Sequence, residues 1–179
     1  IMADGTLKVG TITTSSGSGN IAIGSGVTLL SNVPAFEAYL SSTQNISDAS
    51  DTKVQFDTEV LDTDNCYDNA TNYRFTPTVA GKYFVYTNLT LGSDTDTTVH
   101  SSLLKIFKNG SVYSDVANQW SANYIRRAGC FKSVIIDMNG SSDYLEIYAY
   151  INVTGGAQAQ LLATTSKANT FGAYRLGVE

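Results

Sequence analysis

The sequence is poor in histidine, cysteine, proline and methionine: one His, two Cys, two Pro and two Met in 179 residues. A nucleophilic triad needs a base beside a Ser or Cys and a third group to orient it. The one base of that kind is His100, and no G-x-S-x-G turn surrounds any serine. His100 is therefore expected to be a polar residue at a strand edge, and the chain is read as non-enzymatic. Cys66 and Cys130 fall short of the four ligands that structural zinc sites use. They form either two partly buried free thiols or one disulfide, and sequence does not fix their proximity.

Charge is also scarce. Charged residues make up 15% of the chain, with a net charge of −5, so the basic footprint that displaces counterions from nucleic acid is missing. Arg126 and Arg127 form the one basic cluster, expected on a solvated loop. No run of about 18 apolar residues is present to span a bilayer, and no membrane insertion is expected. The N-terminus has neither the basic region nor the apolar core of a secretion signal, so any such segment is expected to have been removed already. Ile1 before Met2 points to processing, a cloning boundary or an unusual initiation codon. Apolar residues at helical spacing are not sustained over several turns anywhere, so helix should be minor. Phosphate-cradling loops and cofactor boxes are missing as well.

What is present suits β-structure. Tyr, Phe, Val, Ile and Thr fit a pleated surface, and Gly, Asn, Asp and Ser supply turns. Residues 1–31 are set apart: short β-like pieces (Leu7–Ile12, Asn20–Ile23, Val27–Leu30) alternate with Ser/Gly stretches. The regular apolar residues Val9, Ile12, Ile21, Ile23, Val27 and Leu29 favour a strand-forming arm that orders against neighbouring chains over a plain linker. From residue 32 onward strands and turn signals follow one another as in a sandwich. "AFEAYL" directs Phe36, Ala38 and Leu40 inward, and "KVQFDTEV" directs Val54 and Phe56. Asn109-Gly110 is a hairpin signal, because both residues tolerate positive φ. "GCFKSVIIDM" is apolar nearly throughout. "DYLEIYAYINV" carries a core stripe of Leu145, Ile147, Ala149, Ile151 and Val153.

Rings on the wrong parity are the anomaly. Phe84 and Tyr86 share a face with Lys82 and Asn88, Tyr148 and Tyr150 flank the last long stripe, and Phe171 and Tyr174 fall on both parities of the final strand. Contiguous aromatic patches are unusual on monomers. With no helices to cover such a face, another copy of the chain is the economical answer.

These segments resemble the C1q-like domains of the C1q/tumour necrosis factor jelly-roll superfamily, from Pro34 to Leu176. "AFEAYL" resembles the first strand, "VQFDT" the V-x-F segment, and Asn65 with Tyr67-Asp68 the N…Y-D element. The most specific match is Phe75-Thr76…Ala80-Gly81-Lys82-Tyr83-Phe84-Val85-Tyr86. "KNGSV" is similar to the family's hairpin and "TFGAYRL" to its last strand. Pro77, Asn72 and Ala173 depart from the pattern, which bears on loop shapes. The resemblance implies an all-β jelly-roll sandwich assembling as a homotrimer, with the first, central aromatic and last strands facing the threefold axis. Together with the parity anomaly it gives a candidate interface of Tyr39, Phe84, Tyr86, Tyr148, Tyr150, Phe171 and Tyr174.

The arm lacks a G-X-Y period and resembles N-terminal segments of virion proteins of tailed phages. The expectation is a virion structural protein: a trimeric head at a fibre or appendage tip for host attachment, or a capsid decoration. Its partners would be other virion proteins, met through the arm, and a host-surface receptor or glycan. The alternative is a secreted, lectin-like recognition protein, which would carry glycans and a Cys66–Cys130 disulfide. Six N-x-S/T sequons, at Asn45, Asn69, Asn88, Asn109, Asn139 and Asn152, are read as compositional. No cofactor is expected. Ca²⁺, which some C1q-like trimers bind near the apex, has candidate ligands in Asp62, Asp64 and Asp68 and in Asp94 and Asp96, but D-x-D in a turn is usually turn chemistry.

Overall fold

A computed structural model describes residues 33–177 and Ser25; the arm expected over 1–31 lies outside the described residues. The described chain forms strands only, in the order β1 (Ala35–Tyr39), β2 (Gln44–Asn45), β3 (Thr52–Lys53), β4 (Thr58–Asp62), β5 (Tyr67–Asp68), β6 (Arg74–Phe75) and β7 (Gly81–Ser93). They continue as β8 (Val99–Lys108), β9 (Ser111–Gln119), β10 (Arg127–Met138), β11 (Leu145–Val153), β12 (Ala159–Leu161) and β13 (Thr170–Arg175). Two antiparallel sheets result. Sheet one holds seven strands, with β10, β7, β13, β1 and β4 side by side and β12 and β2 continuing from β7. Sheet two holds six, running β5, β6, β11, β8, β9, with β3 also on β11.

Alternation along the strands builds the layer between the sheets. In β7, Tyr83, Val85, Leu89 and Leu91 are buried; in β11, Leu145, Ile147, Ala149, Ile151 and Val153 face them. Phe36, Ala38 and Leu40 of the first strand are buried as well. At the centre Phe36 stacks on Tyr67 and Phe75 at ring separations of 4.7 and 4.6 Å. Such pairs add to the area they bury. Tyr67 and Tyr83 keep their hydroxyls bonded inside this layer, donating to the carbonyls of Phe56 (3.1 Å) and Val79 (2.7 Å).

Turn chemistry follows the sequence closely at two places. Asn109 and Gly110 have φ of 51° and 78°, the mirror-image turn that suits a two-residue hairpin between β8 and β9. Gly140, at φ 70°, lets the 139–142 turn approach the backbone of Val79 and Ala80, where a Cβ would lie 2.2 Å from the Ala80 nitrogen. Elsewhere the chain departs from expectation. "KVQFDTEV" is not one strand: β3 ends at Lys53 and β4 begins at Thr58, although Val54 and Phe56 are fully buried as read. At the position of Asn72, which departs from the resembled pattern, the left-handed residue is its neighbour Tyr73, at φ 49°.

Candidate functional site

The sandwich has two outer faces, and both carry rings. On sheet one the register aligns three rows across the strands. Ile135, Phe84, Tyr174 and Ala35 form the first row; Ser133, Tyr86, Gly172, Glu37 and Leu61 the second; Phe131, Asn88, Thr170, Tyr39 and Thr58 the third. Phe84 packs its ring 5.4 Å from Tyr174 and 6.2 Å from Tyr86. The edge strands stay open to solvent, with Phe131 66% exposed, Ile135 55% and Leu61 44%, and so does Tyr174 on the central strand β13, at 44%. The result is an apolar band that runs from one edge strand, β10, to the other, β4.

The middle row explains how Tyr86 sits on this face. Its ring lies across Gly172, where a Cβ would be 2.4 Å from the ring. The phenol therefore crosses β13 and donates to Glu37 Oε2 on β1 at 2.6 Å. Burial, and then the Glu37 carboxylate, push the Tyr86 pKa up, so the phenol stays a neutral donor. "TFGAYRL" thus needs its glycine for clearance rather than for a special φ.

Sheet two is different. Outward-facing Tyr144, Glu146, Tyr148 and Tyr150 are matched one by one from within the chain. Arg74 lies 4.7 Å from the Tyr144 ring, Lys53 5.9 Å from Tyr148 and Lys105 5.5 Å from Tyr150, while Phe107 packs 4.2 Å from Tyr148. Lys53 also pairs with the buried carboxylate of Glu146 at 2.6 Å, and Lys105 pairs with Asp51 at 2.7 Å. A cation over a ring gains from the quadrupole while keeping its head partly wet. The tyrosines of this face are covered by residues of their own chain, while Val112 on β9 stays exposed.

The seven expected interface residues therefore divide. Tyr39, Phe84, Tyr86 and Tyr174 share the outer face of sheet one. Tyr148 and Tyr150 do not: β11 belongs to sheet two, so they lie on the opposite side of the sandwich. Phe171 is also corrected. It is fully buried in the layer between the sheets, edge-on to Phe36 at 4.8 Å, because it shares the inward parity of Ala173 and not that of Tyr174. Phe131, Ile135 and Leu61, which the expectation did not name, share the outer face of sheet one and are exposed there. The near-continuous apolar run of "GCFKSVIIDM" was the available signal, since only one parity of such a strand can face its own core.

The remaining candidates resolve into structural contacts. His100 stands against the Tyr124 ring at 5.0 Å. Cys66 and Cys130 are buried free thiols: the first donates to Asp62 at 3.2 Å and the second accepts from Asn118 at 3.1 Å. Burial pushes both thiol pKa values up. Asp62 accepts from the amides of Asp64, Cys66 and Tyr67, and Asp68 from those of Ala70, Thr71 and Asn72. Asp94 caps Gln158, and Asp96 pairs with Arg126 at 3.2 Å. Among the described residues no three His, Cys, Asp or Glu side chains gather as a metal site.

Two all-antiparallel sheets stacked in this order are the C1q/tumour necrosis factor jelly-roll fold. The chain is similar in structure to the globular domain of the zebrafish complement 1qA protein, at a TM-score of 0.56 and 12% identity over 82% of this chain and 98% of that one. Murine APRIL aligns at 0.54 and 12% identity, over 80% and 99%. The Eiger TNF of S. frugiperda aligns at 0.50 and 14%, over 82% and 93%. No protein-family model matches the sequence, and no curated protein does.

Proposed function

We propose that the protein is a non-enzymatic, homotrimeric interaction module whose sheet-one outer face is buried between copies. The observation that carries this is the apolar band from Phe131 and Ile135 on β10, through Phe84 and Tyr174, to Leu61 on β4. Its two open margins lie on opposite edge strands. A contact of one margin with the other margin of the next copy is heterologous, and such contacts close into a ring where the rotation between copies permits and otherwise run on as a filament. The sequence resemblance supplies three as the number of copies. A trimer by size-exclusion chromatography with light scattering is the expected result; a monomer at micromolar concentration would sink the reading.

Within that class we place the protein in the virion of a tailed phage, as a fibre or appendage tip or as a capsid decoration. The Gly/Ser-rich segment 1–31, with its regular apolar residues and no collagen period, supports attachment through an arm. The sandwich end opposite Val33 is then free to meet a host-surface receptor or glycan. The alternative, a secreted lectin-like recognition protein with a Cys66–Cys130 bridge, is less favoured by two free thiols with different partners. Localisation on the particle by electron cryomicroscopy tests the placement: density on neither shell nor tail refutes it.

A further inference from the structure

Because β1 and β13 are antiparallel, Ala35 and Tyr174 lie at the end where Val33 begins the sandwich, and Tyr39 and Thr170 at the far end. There the segment after β1 and the loop between β12 and β13 enclose a bowl of about 500 Å³, lined by Tyr39, Ser42, Thr43, Thr164, Thr165 and Lys167 among others. The bowl stands on a rigid base. Asn169 is fully buried; its side chain donates to the Leu162 carbonyl at 2.8 Å and accepts from the Thr90 amide at 2.7 Å. Its carbonyl accepts from Leu40 at 3.1 Å, and the Ala163 amide donates to Thr43 Oγ1 at 3.3 Å.

Lys167 is the unusual group. It has φ 54°, a conformation that residues other than glycine seldom adopt, and its Nζ lies 5.1 Å from the centre of the Tyr39 ring. Lys53, Lys82, Lys105 and Lys108 each hold a carboxylate at 2.6–2.9 Å. Lys167 holds none among the described residues, as is true of Lys132, but of the two only Lys167 faces a concavity. The hydroxyls beside it divide as well. Ser41 is engaged by Asp57 and Thr164 by Ser166, while Ser42 and Thr165 bond to no described residue.

We propose that this bowl binds an acidic sugar, a hydroxylated ring bearing a single carboxylate or sulfate. Lys167 takes the anionic substituent, in a position fixed by the loop; Tyr39, which backs it, stands in the last row of the sheet-one face, so the bowl opens at the rim of the proposed contact between copies. Ser42 and Thr165 supply hydroxyls that both donate and accept, as sugar hydroxyls require. The volume lies in the lower part of the range for small-molecule sites, which suits one sugar unit better than a peptide. The Asp57 carboxylate behind Ser41, which accepts from its amide and hydroxyl at 2.9 and 2.7 Å, sets the limit of one negative charge. The inference deepens the reading of the far end as a recognition surface.

The test is saturation-transfer NMR on the full chain, with sodium glucuronate as the probe, glucose as its neutral counterpart and sodium sulfate as competitor. Glucuronate should give a saturable signal and glucose a much weaker one. Lys167→Gln should weaken glucuronate binding about tenfold, the loss of one charge-assisted hydrogen bond. Lys132→Gln, on β10 outside the bowl, should leave it unchanged. No saturable signal, equal signals from both sugars, equal losses in both variants, or displacement of glucuronate by equimolar sulfate would each overturn the assignment. Light scattering on the same samples keeps the two readings apart. A monomer that binds glucuronate fails only the assembly proposal, and a trimer that does not bind fails only this one.

Discussion

The two outer faces carry similar numbers of rings and solve the problem of exposed aromatics in opposite ways. Sheet two covers its rings from within: Arg74, Lys53 and Lys105 each lie over a tyrosine. A strand laid along β11 brings Lys53 to Glu146 as well. Sheet one has less such cover. Lys167 lies over Tyr39, Tyr86 donates to Glu37, Lys82 pairs with Asp137 and Thr170 bonds to Asn88, but Phe131, Ile135, Tyr174 and Leu61 stay open. A tyrosine surface with cations interleaved is complete in water; an apolar band with bare margins is what the proposed contact between copies would cover. Ring content alone does not mark an interface, because what matters is whether the same chain supplies the partners.

The strongest way to break the comparison is to place a charge on each face in turn. Ile135→Asp should abolish assembly, since a carboxylate buried against another copy without a partner costs several kcal/mol. Tyr150→Asp should leave the assembly intact, because Tyr150 needs no second copy to cover it. Light scattering at matched concentrations reads both. Assembly lost by the sheet-two variant and kept by the sheet-one variant would reverse the assignment of the faces.

A smaller effect should appear on the other side. Lys53→Met removes the ion pair that compensates Glu146, whose side chain is 7% exposed. Breaking a buried pair from one side is costly, and roughly 3 kcal/mol of chain stability should be lost. Denaturant midpoints measure it, and the oligomeric state should not change. If the variant dissociates with its stability unaltered, sheet two is not self-sufficient.

How far the sequence discloses this contrast depends on what each residue's neighbours are. Inward stripes were legible because alternation fixes them: Phe36, Ala38 and Leu40, or the five apolar residues of β11, need no knowledge of pairing. The hairpin at Asn109-Gly110 was legible for a local reason, the φ that both residues tolerate. Outward rings were not sortable into faces, since parity says "away from the core" without saying which sheet a strand joins. Tyr148 and Tyr150 fall on sheet two only because β11 pairs with β8 and β3, contacts 40 or more residues distant. Phe171 shows a narrower failure: within "TFGAYRL" one step of parity separates a core ring from a surface ring. The far-end bowl was invisible, because residues 41–43 and 163–167 meet through the long-range pairing of β1 with β13 and the bonds of Leu40 to Asn169 and of Ala163 to Thr43.

The gentlest probe is acid, which acts on loop carboxylates and not on the apolar band. Asp68, in the loop joining β5 and β6 of sheet two, has its pKa lowered to about 2. The Thr71 amide is the main cause, opposed by partial burial and joined by the amide of Ala70 and by Asn72. Asp143, at the foot of β11, is lowered first by Asn109 and then by Lys108. In the unfolded chain both carboxyls return to the ordinary value of 3.8. Between that value and about 2 the unfolded state therefore binds more protons than the folded one, and stability rises with pH. The stabilisation is fully present above the ordinary carboxyl range and is lost as pH falls toward 2. Denaturation midpoints from pH 5 to pH 2.5 should fall for the native chain and fall less steeply for Asp68→Asn, which has no charge to lose. The sheet-one band is apolar, so the same acid range should weaken sheet-two loops before it separates the copies. Dissociation that precedes any loss of chain stability would show that the interface depends on carboxylates, not on Phe131, Ile135, Phe84 and Tyr174.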